Sequence, residues 1–409
     1  MTTIVLDELD RDGTAVGISR IQAEGLAATG LLDVRPDLDG RWRLLPTGKV
    51  GTVRVGDLQV QVTPKDKVGL TRLLFLLGYA ADPGFRPEDA WGAEDSDLWP
   101  ALAESLARLA ERATGRGVLQ GYRTHEEALR TVRGRIRMSD QMSRHPGQMI
   151  PVEVTYDEFT VDIPENQILR TAIRRMLAVP RLSSSARARL AHLDGRMAEV
   201  TVLRGRQQAP EWRRSRLNEH YAPALRLAEI IFANSSAEAG RGDLQVAAFV
   251  VDMAKVFEDF VGTALTEALR RYHGTTRLQY PSHLDVPELA SKAGIPMKVD
   301  IVHSVSRSPR LVFDAKYKAA GPGDRYPNAD HYQMLAYCTA LSVPTAWLVY
   351  AGGGDARRRR IRNTEIEVIE YPLDLRREPV ALLEQVDELA RRAWQRSVAL
   401  SSRQGAAVA

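Results

Sequence analysis

Two short apolar runs carry charge where charge is costly, and they set most of what this chain can be. Met297-Lys-Val-Asp-Ile-Val302 and Leu311-Val-Phe-Asp-Ala-Lys-Tyr317 have the apolar, β-branched content of buried strands. Ser304-Val-Ser-Arg-Ser-Pro309 between them reads as a turn, so the two runs form a hairpin. Side chains two apart on a strand share a face. Asp314 and Lys316 therefore project together, and the hairpin can bring Asp300 beside them. Placing two carboxylates and an ammonium among Ile301, Val302, Leu311, Val312 and Phe313 is unfavourable unless a cation or partner compensates. A hard divalent ion, Mg²⁺ or Mn²⁺, prefers oxygen ligands and supplies that compensation. It also polarises a phosphate and activates water. Lys316 would then stabilise phosphate charge or orient the attacking water, and Glu258, on the helix before, adds a carboxylate from the side. The expected ion ligands are Asp300, Asp314 and Glu258. The bland alternative is a buried Asp–Lys ion pair, since Asp-x-Lys is common by chance.

The order of elements narrows the choice. Met253, Phe257, Val261, Leu265 and Leu269 are spaced by four and mark a helix. The two strands follow, then a helix over 330–341 and a strand over 346–350. This α-β-β-α-β order implies a mixed sheet flanked by helices. Gln333 and Tyr337 lie four apart on one face of the later helix, as supporting residues. Glu258, the strand aspartate, Asp-x-Lys and Gln-x-x-x-Tyr together match the motif order of PD-(D/E)xK nucleases of the RecB-like type. His303 and His331 lie near the site and are read as structural, and Cys338 as core. Ser304, Ser306 and Ser308 have no triad context.

At 409 residues the chain is too long for one ordinary core. Residues 1–92 read as a β-rich module. Val50 to Val62 alternates about Gly56-Asp57 as a β-hairpin, and Leu70, Leu73, Leu74 and Leu77 begin a helix. Residues 93–240 read as mostly helical, with short strands at 133–138 and 151–156. A small-residue linker starts at Asn234. Residues 241–395 hold the mixed sheet, and 396–409 read as a disordered tail. The fold class is thus α/β, multidomain. A single cysteine excludes a disulfide framework and a multi-cysteine zinc site. No long apolar run marks a membrane span and no secretory signal is legible, so the cytoplasm is the expected location. The net charge of +4 is compatible with a polyanionic partner without demonstrating one. Arg357, Arg358, Arg359 and Arg360 follow Gly352-Gly-Gly354 and read as a flexible basic loop. Such a loop can grip backbone phosphates, and a solvated surface is the equal alternative. Arg130, Arg133, Arg135 and Arg137 form a second cluster.

Resemblance to one family covers nearly the whole chain. Lys255-Val-Phe-Glu-Asp-Phe-Val261, Val312-Phe-Asp-Ala-Lys-Tyr-Lys318 and Asp330-His-Tyr-Gln-Met-Leu-Ala-Tyr-Cys338 are similar to the nuclease domain of the McrC family. Thr131-Val-Arg-Gly-Arg-Ile136 and the stretch from Tyr156 to Leu169 resemble its middle region, and Val62-Thr-Pro-Lys65 the end of its N-terminal module. Val299 stands where the family often has proline before the first aspartate. The resemblance implies a Mg²⁺-dependent endonuclease subunit of a modification-dependent restriction system used in antiviral defence. It implies a hexameric McrB-like AAA+ GTPase partner, docked through the N-terminal part, and double-stranded DNA carrying modified cytosine. No nucleotide is expected on this chain. Thr47-Gly-Lys-Val50 lacks the Ser/Thr of a phosphate loop and has Arg43 where its first glycine would be. Two other readings stay open: a stand-alone RecB-like repair nuclease, and a catalytically silent activator of an AAA+ motor.

Overall fold

The elements are described from a computed structural model that covers residues 2–64, 68–83, 85, 98–179, 182–203, 209–239, 245–286, 294–317 and 328–408. The chain begins with β1 (Thr2–Asp7), β2 (Thr14–Val16), α1 (Arg20–Ala28), β3 (Leu32–Pro36), β4 (Trp42–Pro46), β5 (Val50–Val55), β6 (Leu58–Thr63) and α2 (Leu70–Ala81). Ser19 and Gln22 form a capping box that starts α1. The expected hairpin is present: β5 and β6 are antiparallel, and β1 adds to β6 in parallel. Thr47 to Lys49 lie in the turn between β4 and β5, with no helix behind them to cradle a phosphate.

Next come α3 (Leu98–Thr114), β7 (Gly121–Leu129), β8 (Arg135–Ile136), α4 (Met138–Arg144), β9 (Val152–Thr160), α5 (Pro164–Leu177), α6 (Ser184–Arg196), α7 (Ala222–Asn234) and β10 (Ser235–Ala239). Helices dominate here, with Ile168, Leu169, Ala172, Ile173 and Met176 burying one face of α5. The middle region is nevertheless less helical than the sequence implies. A three-stranded antiparallel sheet, order β7-β9-β8, runs through it. Its long strand β7 has no buried residue, so hydrophobic alternation left no trace of it. The strand expected over 133–138 shrinks to Arg135–Ile136, because Met138 already opens α4. The expected linker after Asn234 begins instead with the strand β10.

The last stretch contains β11 (Gln245–Val251), α8 (Met253–Leu269), β12 (Thr275–His283), β13 (Pro296–Val305), β14 (Ser308–Lys316), α9 (Asn328–Leu341), β15 (Thr345–Ala351), β16 (Arg357–Arg360), β17 (Glu367–Leu373) and α10 (Pro379–Val408). The mixed sheet has the order β12-β13-β14-β15-β17-β16. Strands β12, β13 and β14 are antiparallel, β15 and β17 run parallel to β14, and β16 returns antiparallel. The β13–β14 turn is tighter than expected. Only Ser306 and Arg307 form it, both with positive φ (51° and 70°), the geometry that matches strand twist in two-residue hairpins.

Two corrections follow from packing. The chain divides into two compact units, not the three domains expected. One holds residues 1–94, 239–244 and 248–409, and the other holds 95–238 and 245–247. The N-terminal module belongs with the mixed sheet because α2 lies on α8. Phe75, Tyr79 and Phe260 cluster there with ring centroids 5.6–6.0 Å apart. β11 also joins β5, at a point where Gly51 (φ 144°) admits the carbonyl of Phe249. A Cβ on residue 51 would stand 1.9 Å from that oxygen. The boundaries expected near residues 92 and 240 fall outside the described residues. The expected disordered tail is helix as far as Val408. Trp394 stacks on Tyr272 at 4.9 Å, and Arg310 donates to Ser397 Oγ and to its carbonyl, which carries α10 past residue 396. No helix of the described residues is long and apolar enough to cross a membrane.

Candidate active site

Each face of the mixed sheet is read from its ladder. Val302, Val312, Ala346 and Val368 lie side by side across four strands, and Met334, Tyr337 and Cys338 of α9 close over them. The next even-numbered row on β14, β15 and β17 is Asp314, Leu348 and Glu370. One step beyond the Ile301–Phe313 pair, Asp300 sits opposite Asp314. The odd-numbered face carries Ile301, Phe313 and Leu278 and meets α8, where Gly262 leaves room for Leu278.

The expected trio is assembled. Lys316 Nζ lies 2.7 Å from Asp314 Oδ2 and 3.9 Å from Asp300 Oδ2. Asp314 is wholly buried, while Asp300 and Lys316 keep 17% of their side-chain exposure, so solvent reaches the cluster through those two. Burial, and then the charge of Asp300, push the Asp314 carboxyl up to about 7, against the pull of Lys316. Burial alone would lower Lys316. The carboxylates of Asp314, Asp300 and Glu258 outweigh it, and the ammonium is held above its ordinary range. Asp300 accepts from Ala315 N at its Oδ2 and from Gln279 Nε2 at its Oδ1, both at 3.3 Å. The β12 residue Gln279 was not singled out from the sequence, because an exposed glutamine on an unrecognised strand gives no signal.

Glu258 approaches from α8. Burial and the nearby Asp300 raise its carboxyl. It does not complete a three-carboxylate ligand set: among the described residues no three His, Cys, Asp or Glu side chains are gathered to hold one ion. The reason is topological, since α8 lies on the odd-numbered face and Asp300 and Asp314 project from the other. Asp314 nevertheless fits a divalent ion, as neither of its buried oxygens makes a hydrogen bond of good geometry. Two carboxylates suffice for Mg²⁺, which keeps several waters.

Gln333 and Tyr337 come together as expected. Gln333 Nε2 donates to Tyr337 Oη at 2.6 Å, and Tyr337 Oη donates to Lys298 O at 2.8 Å. Burial and then Asp314 push the phenol up to about 12, so Tyr337 stays protonated and fastens α9 to β13 beside Asp300. Tyr337→Phe is expected to cost about 1 kcal/mol in a denaturant titration and to lower cleavage less than tenfold. A loss beyond a hundredfold would mean that the hydroxyl takes part in the chemistry.

The other candidates settle into structure. His303 is buried against Trp394, hydrogen bonded to Thr276 and to the carbonyl of His273, and burial holds its imidazole below the ordinary histidine range. His331 Nε2 lies 2.7 Å from Glu370 Oε1. Cys338 is core, its thiol pushed up to about 12 by burial. Arg357 to Arg360 are the edge strand β16, not a flexible loop, because they ladder onto β17. All four are exposed, and Arg359 and Arg360 pair with Glu370 and Glu365. In the second basic cluster, Arg137 bonds to Glu126 and Glu153, and Arg133 lies over the Tyr156 ring.

A family model described as McrBC 5-methylcytosine restriction system component matches residues 45–351. No curated protein matches the chain. Among solved structures it is similar to a chain of the refined half-complex from a tetradecameric assembly of Thermococcus gammatolerans McrB AAA+ hexamers with bound McrC. Identity there is 17% and the TM-score 0.58, over 95% of this chain and 99% of that one. A cryo-EM structure of the Thermococcus gammatolerans McrBC complex matches at 18% identity and TM-score 0.40, over 67% of this chain and 90% of that one.

Proposed function

Because the chain belongs to the McrBC 5-methylcytosine restriction system component family, we propose that it is the subunit of such a system that cuts DNA. The reaction is Mg²⁺-dependent hydrolysis of the phosphodiester backbone, run on a PD-(D/E)xK arrangement. The observation that carries this reading is the trio Asp300, Asp314 and Lys316 on one sheet face, with Asp314 wholly buried and Lys316 within 4 Å of both carboxylates.

Asp300 and Asp314 would hold the ion, and Glu258 would act on them through its charge alone. When bound, Mg²⁺ supplies Lewis acidity toward the phosphate and makes a nucleophile available from water near neutral pH. Lys316 keeps its proton, since three carboxylates hold it above its ordinary range. It therefore serves as a fixed positive charge for the phosphate and not as a base. Gln333 and Tyr337 hold α9 against the strand that bears Asp300. Arg357 lies in the ladder row of Glu370, Leu348 and Asp314, so β16 offers phosphate contacts on the same sheet.

The partner is an AAA+ GTPase hexamer that selects DNA with modified cytosine, as the McrB hexamers named for the similar structure are AAA+ assemblies. The fold likeness and the lack of a phosphate loop in this chain both support that division of labour. The test is reconstitution. With the motor, GTP and Mg²⁺, methylated plasmid is expected to be cut and unmethylated plasmid spared. Raised GTP turnover with no cut under any divalent ion would leave a silent activator instead.

A further inference from the structure

We propose that Gln279 is a positioning residue of this centre, its side-chain amide holding Asp300 Oδ1 so that the carboxylate faces the space beside Asp314. The proposal rests on the nuclease reading above.

Gln279 lies in the middle of β12, with Leu278 paired to Ile301 and Tyr280 to Val299 in one register, and the ladder skips only the Gln279–Asp300 step between them. That register leaves Gln279 directly opposite Asp300. Its φ is 51°, in the left-handed region that favours glycine, and it is the one such residue inside β12. A glutamine there is strained, and the strain does not serve a bulge, because the register is the same on both sides. The distortion is confined to the single residue whose neighbour across the ladder is the proposed ion ligand. Its Nε2 donates to Asp300 Oδ1 at 3.3 Å.

The rest of Asp300 is held too. Its Oδ2 accepts from Ala315 N at 3.3 Å and faces Lys316 Nζ at 3.9 Å. The amide therefore fixes the one oxygen that the β14 side leaves loose. A carboxylate restrained at both oxygens has its plane set before an ion arrives, and such outer partners are typically worth about 10–100-fold in metal affinity or activity. The ordinary alternative is an exposed amide on an edge strand that touches Asp300 incidentally.

Gln279→Gly separates the two, because glycine removes the amide and the backbone strain together. The full chain is titrated with Mn²⁺ by calorimetry, assayed for cleavage with its motor, and melted. Gln279→Ala and Gln279→Gly are both expected to bind Mn²⁺ about tenfold more weakly and to cut more slowly. Gln279→Gly should melt no lower than wild type. Glycine restoring wild-type Mn²⁺ affinity and cleavage where alanine loses them would overturn the proposal, since only the backbone would then matter. So would both variants matching wild type while Asp314→Ala loses Mn²⁺. Wild-type protein that takes up no Mn²⁺ and leaves DNA intact would overturn the nuclease reading and this proposal with it.

Discussion

Asp300→Ala, Asp314→Ala and Lys316→Ala are each expected to lower DNA cleavage by ~10³-fold or more, about 4 kcal/mol of barrier. GTPase stimulation and motor binding should stay at wild-type levels. The size follows from position. Asp300 and Asp314 lie side by side across the β13–β14 ladder, and either one alone leaves a divalent ion with half its protein carboxylates. Lys316 is the ammonium within reach of both, held charged by the carboxylates around it. Removing it costs the phosphate its fixed counter-charge in a site largely shielded from solvent. Partner contacts should survive, because the proposed docking part is the N-terminal module and none of the three residues belongs to it. A variant of any of the three that cuts at the wild-type rate would end the assignment. Loss of GTPase stimulation together with cleavage would mean instead that the substitution disturbs the fold.

Asp314→Asn is expected to stabilise the ion-free protein at pH 8 and to leave it near wild type at pH 4. The Asp314 carboxyl titrates at about 7 in the folded chain, against an ordinary value of 3.8, because burial disfavours its charge. Below pH 4 it is protonated both folded and unfolded, and its contribution to stability is fully present. As pH rises from 4 to 7 the unfolded chain gives up the proton while the folded chain keeps it. That contribution is lost as pH passes through 7. Asparagine never ionises, so the gap between variant and wild type should open over that range by on the order of 2 kcal/mol. The gap is smaller than the full shift implies, since the variant leaves Lys316 without its nearest carboxylate. Denaturant titrations in EDTA at pH 4, 6 and 8 measure it. Parallel stability curves for the two proteins would show that Asp314 is not strained by its burial. Together the two experiments describe a site that gives up stability for chemistry.

Much of this was legible in local pattern. The β5–β6 hairpin followed from alternation about Gly56-Asp57, and α8 from apolar residues spaced by four. The trio followed from two facts that need no coordinates: period-two side-chain direction and the cost of charge in an apolar run. Strand β7 was illegible because both its faces are exposed, and β16 because four consecutive arginines carry no alternation.

The sequence by itself determined which side chains share a strand face and which charges had to meet, because both depend on spacing within one element. Tertiary structure alone decided that α2 joins α8 in one core, that Glu258 does not join the two aspartates in a three-carboxylate ligand set, and that Gln279 takes a positive φ opposite Asp300. Those outcomes depend on contacts between residues far apart in the chain. Their energies are set by packing against partners that no window of neighbouring residues contains.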